Sequence, residues 1–265
     1  MDIVRSNNVQ CFGKGAATLL FAHGFGCDQS MWRFLTPHVE SRYKIVLYDL
    51  AGCGYADPRA YDRDKYATLQ GHATDVLDIV TQCCTGPVIL VGHAVGAMIG
   101  MLATIRMPAR FAGQVMLGPS PCYVNDGAYV GGFNQEDLEQ LLQLMHHRYD
   151  EWAALAAPLL VGARVQPELR AELEERLRRH DRDIMRHFAR VAFLSDVRAD
   201  VARSSVPALI LQCSDDLIAP TEVGDYLHRH LSHSTLVRVD HVGHCPHMSA
   251  PSVSVQAMEA FLRTL

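Results

Sequence analysis

The sequence predicts an α/β fold, with a mostly parallel sheet flanked by helices and a long helical insertion near its middle. Three observations carry this. Short apolar runs recur without polar alternation, as strands do when helices cover both faces of a parallel sheet. Most of these runs end in a glycine-containing turn, and the early ones lead into helical patterns. Between Leu117 and Ala208 lie about 90 residues, three times the roughly 30 that a simple crossover unit takes.

The elements follow in order. Thr18–Ala22 is an apolar run ending in His23-Gly24-Phe25-Gly26. Residues 44–48 form a second, followed by Asp49 and the turn Gly52-Cys53-Gly54. Residues 88–91 form a third, followed by Gly92-His93-Ala94-Val95-Gly96 and a helix rich in small residues. Residues 114–117, 208–212 and 235–239 repeat the pattern. Within the long gap, Asn134 to Asp137 resembles a helix cap, and Leu138, Leu141, Leu142 and Met145 follow at helical spacing. Residues 151–161 make a second helix, kinked or broken at Pro158. A charged third helix starts at Pro167, and residues 181–194 make a fourth. The expected organisation is a core of residues 1–126 and 196–265 with a four-helix lid at 127–195.

Bulk properties narrow the function. The chain has 265 residues, 49% hydrophobic and 20% charged, enough apolar content for a full core. A net charge of −5 gives no basic footprint for nucleic acid or an anionic membrane. The N-terminus lacks the apolar stretch of a signal peptide, and no run approaches membrane-spanning length. A cytoplasmic protein is expected, with its eight scattered cysteines as free thiols.

The chemistry centres on residues 92–96. Nucleophilic hydrolysis needs a nucleophile on a sharp strand-to-helix turn, a histidine base, a carboxylate that orients the base, and two N–H groups for the oxyanion. In the α/β-hydrolase fold these occur in the order nucleophile, acid, histidine, and the nucleophile sits in G-x-S-x-G. The glycine frame is present here, after an apolar strand and before a helix, but alanine occupies its centre. Ala94 therefore marks a nucleophile position without a nucleophile. Asp215 and Asp216 follow a later strand and both suit the acid. His244 follows the last strand and suits the base. The loop after the first strand offers the Phe25 N–H, and the turn offers the Val95 N–H, as oxyanion donors. His241, His244 and His247 recur every three residues, but they lack H-E-x-x-H and Pro246 interrupts any helix, so no metal is expected.

Longer stretches carry a family resemblance. His23-Gly24-Phe25-Gly26-Cys27-Asp28-Gln29-Ser30, the turn with Ala97-Met98-Ile99-Gly100, and Pro119-Ser120-Pro121-Cys122-Tyr123-Val124-Asn125-Asp126 belong to it. So do Gly131-Gly132-Phe133, Leu211-Gln212-Cys213-Ser214-Asp215-Asp216 and Gly243-His244-Cys245-Pro246-His247-Met248. Together, nearly end to end, they resemble the RsbQ-like α/β-hydrolases. These are bacterial regulators of a general stress sigma-factor pathway, to which the plant karrikin and strigolactone receptors are similar. The resemblance implies a lid over an apolar pocket, hydrolysis of a small hydrophobic ester or lactone without a cofactor, and a signalling partner, a phosphatase. It selects Asp216 over Asp215 and places serine where Ala94 stands. The intact acid, base and oxyanion loop favour an engineered loss of that serine over natural drift to a protein that only binds. Pocket candidates are Phe25, Phe133, Trp152, Leu155, Leu159 and Phe193, with Phe133 and Trp152 matching lid positions that line the family's pocket.

Overall fold

A computed structural model describes residues 2–162 and 167–265. The strands are β1 (Gln10–Gly13), β2 (Thr18–Ala22), β3 (Lys44–Leu47), β4 (Val88–His93), β5 (Phe111–Leu117), β6 (Ala208–Asp215) and β7 (Ser234–Val242). They form one sheet in the order β1-β3-β2-β4-β5-β6-β7. β1 runs antiparallel to β3, with Gln10 opposite Leu47, and the other neighbours are parallel. Every residue of β2 and β4 is buried, which accounts for their unbroken apolar sequence. The six expected strands are all present. The edge strand β1 was not legible, because its four residues are largely exposed and carry no apolar pattern.

The helices complete the layers. α1 (Ile3–Ser6) and α2 (Thr36–Val39) are short, whereas α3 (Leu69–Cys83) and α4 (Val95–Arg106) are full crossovers. Five helices separate β5 from β6, of which the first four are long: α5 (Gln135–His147), α6 (Tyr149–Val161), α7 (Pro167–Arg179) and α8 (Arg182–Phe193). After them come α9 (Arg198–Val201), α10 (Thr221–His230), α11 (Pro246–Ser249) and α12 (Pro251–Leu262). α7 buries Leu169, Leu173 and Leu177, one apolar stripe at four-residue spacing on an otherwise charged helix. Asp181 caps α8 by accepting from the Asp183 and Ile184 N–H groups.

One expectation is corrected: α6 is not broken at Pro158. The helix runs from Tyr149 to Val161 with the proline inside it, and the Gly162 N–H still reaches the Pro158 carbonyl at 3.0 Å. The proline lies in the last turn, where its missing N–H removes a single bond near an end that is about to terminate.

The sheet also places the site. From β2 the chain moves outward to β3, then returns to β4 on the other side of β2 and proceeds to β5. Strand order reverses between β2 and β4, and the carboxyl ends beside such a reversal leave a crevice open to ligands. The turns after β2, β4, β6 and β7 carry Phe25, Ala94, Asp216 and His244.

Candidate active site

Ala94 joins β4 to α4 with φ 50° and ψ −120°, a conformation that L residues rarely adopt. Its neighbours make the turn possible. A Cβ on Gly92 would lie 2.5 Å from the Ala97 Cα, and one on Gly96 would lie 2.4 Å from the carbonyl oxygens of both Ala22 and His23. Only glycine permits α4 to pack so closely against β2 and its own strand. The Ala94 N–H donates to the Leu117 carbonyl at 2.9 Å, tying the turn to β5.

Asp216 and His244 are brought together. The His244 Nδ1–H donates to Asp216 Oδ2 at 2.7 Å, with both side chains almost wholly buried. Asp216 Oδ1 accepts from the Ile218 and Ala219 N–H groups at 2.9 and 3.1 Å. Burial alone pushes its carboxyl up, but the facing His244 and these two N–H groups hold it below the ordinary range. The carboxylate therefore stays charged and holds the His244 ring by its Nδ1 side. Asp215 does not compete. Its side chain is exposed, and its carbonyl is used by the Gly243 N–H at 2.8 Å.

Two further contacts fix His244. Its main-chain N–H donates to the Leu160 carbonyl of α6 at 2.7 Å. Its own carbonyl accepts from His93 Nε2 at 2.9 Å, and burial holds His93 neutral by lowering it to about 3. Of the two N–H groups expected as oxyanion donors, that of Phe25 has no acceptor among the described residues. Val95 is the first residue of α4, where an N–H has no partner within the helix.

A cavity of about 270 Å³ opens over Ala94 and His244. Phe25, Phe133, Trp152, Leu155, Leu159 and Phe193 all line it. Leu155 and Leu159 are 57% and 41% exposed, so they form its mouth rather than the contact between helices. Phe25 lies at the centre of an aromatic group, 5.2 Å from Phe193, 5.5 Å from Phe188 and 6.1 Å from Trp152 between ring centroids. Sequence reasoning missed Tyr123, Leu141, Leu160, Leu217 and Ile218 on the walls and Asp137 as a charged lining residue. Tyr123 stood in a motif already singled out, and Leu141 lay on the apolar stripe of α5. Nothing in the sequence marked Leu217.

The spaced histidines do not assemble into one cluster. His247 instead meets His93 and Cys245, with ligand atoms within 4.8 Å of one another, all three residues buried. His93 Nε2 is already committed to the His244 carbonyl, whereas neither ring nitrogen of His247 has a partner among the described residues. Among the described residues no helix is long and apolar enough to cross a membrane.

The chain resembles known proteins along most of its length. The sequence profile of the alpha/beta hydrolase family matches residues 19–257. The chain is 39% identical to Karrikin insensitive 2 receptor CA of Petunia hybrida over 97% of this chain and 96% of that one. It is 36% identical to Strigolactone esterase D14 of Arabidopsis thaliana over 98% of each. Among solved structures, a hydrolase from Oleispira antarctica superposes with a TM-score of 0.97 at 36% identity, covering 100% of this chain and 97% of the other.

Proposed function

The chain belongs to the alpha/beta hydrolase family, and from that premise we propose that its site hydrolyses a small hydrophobic ester or lactone through an acyl-enzyme, with Ala94 standing where the hydrolytic form has serine. One observation carries the reading. Ala94 holds a strained backbone at the floor of an apolar pocket that His244, paired with Asp216, also lines. Such strain costs on the order of 1–3 kcal/mol and persists at sites where geometry serves chemistry. An inert turn has no use for it.

The geometry supports a role for each residue. In the serine form the hydroxyl attacks the carbonyl carbon while His244 Nε2 takes its proton. Asp216 fixes the tautomer and stabilises the imidazolium that forms. The Phe25 and Val95 N–H groups receive the oxyanion. His244 then returns the proton to the leaving oxygen, and a water repeats the sequence to release the acid. For a lactone, the leaving oxygen remains attached to the acyl group and the ring opens. The apolar walls fit a neutral, hydrophobic ligand of roughly drug size or less. The four helices α5 to α8 act as the lid of residues 127–195 over a core of 1–126 and 196–265.

With alanine at position 94 the attack has no nucleophile, and this chain binds without turning over. A second reading gains support from the same fact and from relatives named as receptors: the protein carries a ligand signal to a partner, a phosphatase, in the cytoplasm. The test of the first reading is Ala94→Ser. The variant should cleave a short-chain p-nitrophenyl ester, whereas the alanine chain stays near background. A folded but inert serine variant would reject hydrolysis.

A further inference from the structure

We propose that Asp28 is a positioning residue: through Arg176 and Arg179 it fastens lid helix α7 to the loop that carries the Phe25 N–H, so that the lid sets the oxyanion geometry. The inference rests on the hydrolase reading above and adds to it a residue outside the pocket.

Asp28 lies three residues beyond Phe25, and its side chain is only 3% exposed. Its Oδ1 accepts from the Ser30 N–H at 2.9 Å, from Ser30 Oγ at 2.5 Å and from Arg176 Nη1. Its Oδ2 accepts from Arg179 Nη2 at 2.6 Å. Arg176, itself well buried, also donates to Glu172 at 2.6 Å, and Glu172 takes Arg33 Nη2 at 2.7 Å. The chain of charges thus runs from core to lid and back, and encloses the short helix of residues 29–34 at both ends.

The same loop is held at a second point. The Gly26 Cα sits beneath Leu177, where a Cβ would come within 2.3 Å of Leu177 Cδ2. His180, just past α7, accepts the Gly54 N–H at Nδ1 (3.3 Å) and donates from Nε2 to the Gly26 carbonyl (3.2 Å). Residues 26 and 28 are therefore both fixed from α7, and the Phe25 N–H lies directly before them. A buried ion pair adds little net stability, because desolvation offsets its attraction, but it specifies where its partners sit. An oxyanion donor needs that specification, since it must meet the transition-state oxygen at about 2.7–3.1 Å.

Asp28→Asn separates this role from capping, because asparagine caps a helix as well as aspartate does but carries no charge. In the Ala94→Ser background it should lower kcat at least tenfold while KM moves less than threefold. In the alanine chain, which needs no chemistry, it should speed hydrogen exchange of residues 24–30 and 172–180 at least tenfold and leave 208–213 unchanged. Arg179→Gln, at a half-exposed side chain, gives a milder variant with the same direction should Asp28→Asn fold poorly. Unchanged exchange at 24–30 would overturn the proposal. A rise in KM with constant kcat would also overturn it, since the contact would then only shape the pocket. An inert serine variant with Asp28 intact would reject the hydrolase reading instead, and the exchange measurement would still decide the coupling.

Discussion

The main-chain N–H of His244 donates to the Leu160 carbonyl at 2.7 Å, so the histidine is anchored to helix α6 of the insertion as well as to Asp216 of the core. The same helix presents Trp152, Leu155 and Leu159 to the cavity. One helix thus both lines the cavity and holds the backbone of His244.

Trp152→Ala should accordingly weaken a small apolar ligand by about 2 kcal/mol, roughly thirtyfold in Kd, through lost burial. Calorimetry on the alanine chain measures this directly. An unchanged Kd would place the ligand elsewhere.

In the serine variant, His244→Ala should cost on the order of 10⁶ in kcat and Asp216→Ala about 10⁴, because the base moves the proton while the acid orients the base. Asp215→Ala should stay within threefold. Full activity of the Asp216→Ala protein would contradict the pairing drawn from the 2.7 Å contact.

How much of this was legible in the sequence depends on the range of the interactions. β2 and β4 announce themselves because burial on both faces makes them continuously apolar. The nucleophile turn is legible from Gly92 and Gly96, whose missing side chains answer contacts within a few residues or with the adjacent strand. Asp215 and Asp216 were equivalent by spacing. Only the fold shows that Asp215 ends β6 with an exposed side chain while Asp216 turns inward to His244. The latch from Asp28 to Arg176 joins residues 148 positions apart, and no local pattern encodes it. In the sequence Arg176 is one more charge on the charged third helix.

Stability should fall steeply in mild acid. Burial lowers His23, His72, His93, His180 and His247, with His72 and His93 brought down to about 3. Their folded pKa values lie below the unfolded value of about 6.5, so the unfolded chain takes up protons first and stability is fully present only above that pH. His72 and His93 each remove about 1.4 kcal/mol per pH unit below it, and His23, His180 and His247 add to the loss in the same direction. Asp28, pushed up by burial but held down to about 2 by Ser30 and Arg176, stays charged throughout that window and is not the cause. Urea midpoints at pH 7.5, 6 and 5 should drop markedly. A midpoint independent of pH between 7 and 5 would show that these rings are solvated.

The alanine chain and its serine variant differ by one hydroxyl and share the apolar walls, which supply most ground-state affinity for a hydrophobic ligand. The alanine chain and its serine variant should therefore bind a slowly hydrolysed lactone within about tenfold, or 1.4 kcal/mol. Binding by the serine variant alone would show that the ligand is held covalently.

The most direct test of the central claim is acylation at position 94. Ala94→Ser, mixed with excess p-nitrophenyl acetate and quenched in acid, should release a burst of p-nitrophenol approaching one equivalent and gain the mass of one acetyl group on the peptide spanning residue 94. The alanine chain should show neither. A folded serine variant with no burst, no added mass and a rate no higher than that of the alanine chain would contradict the account.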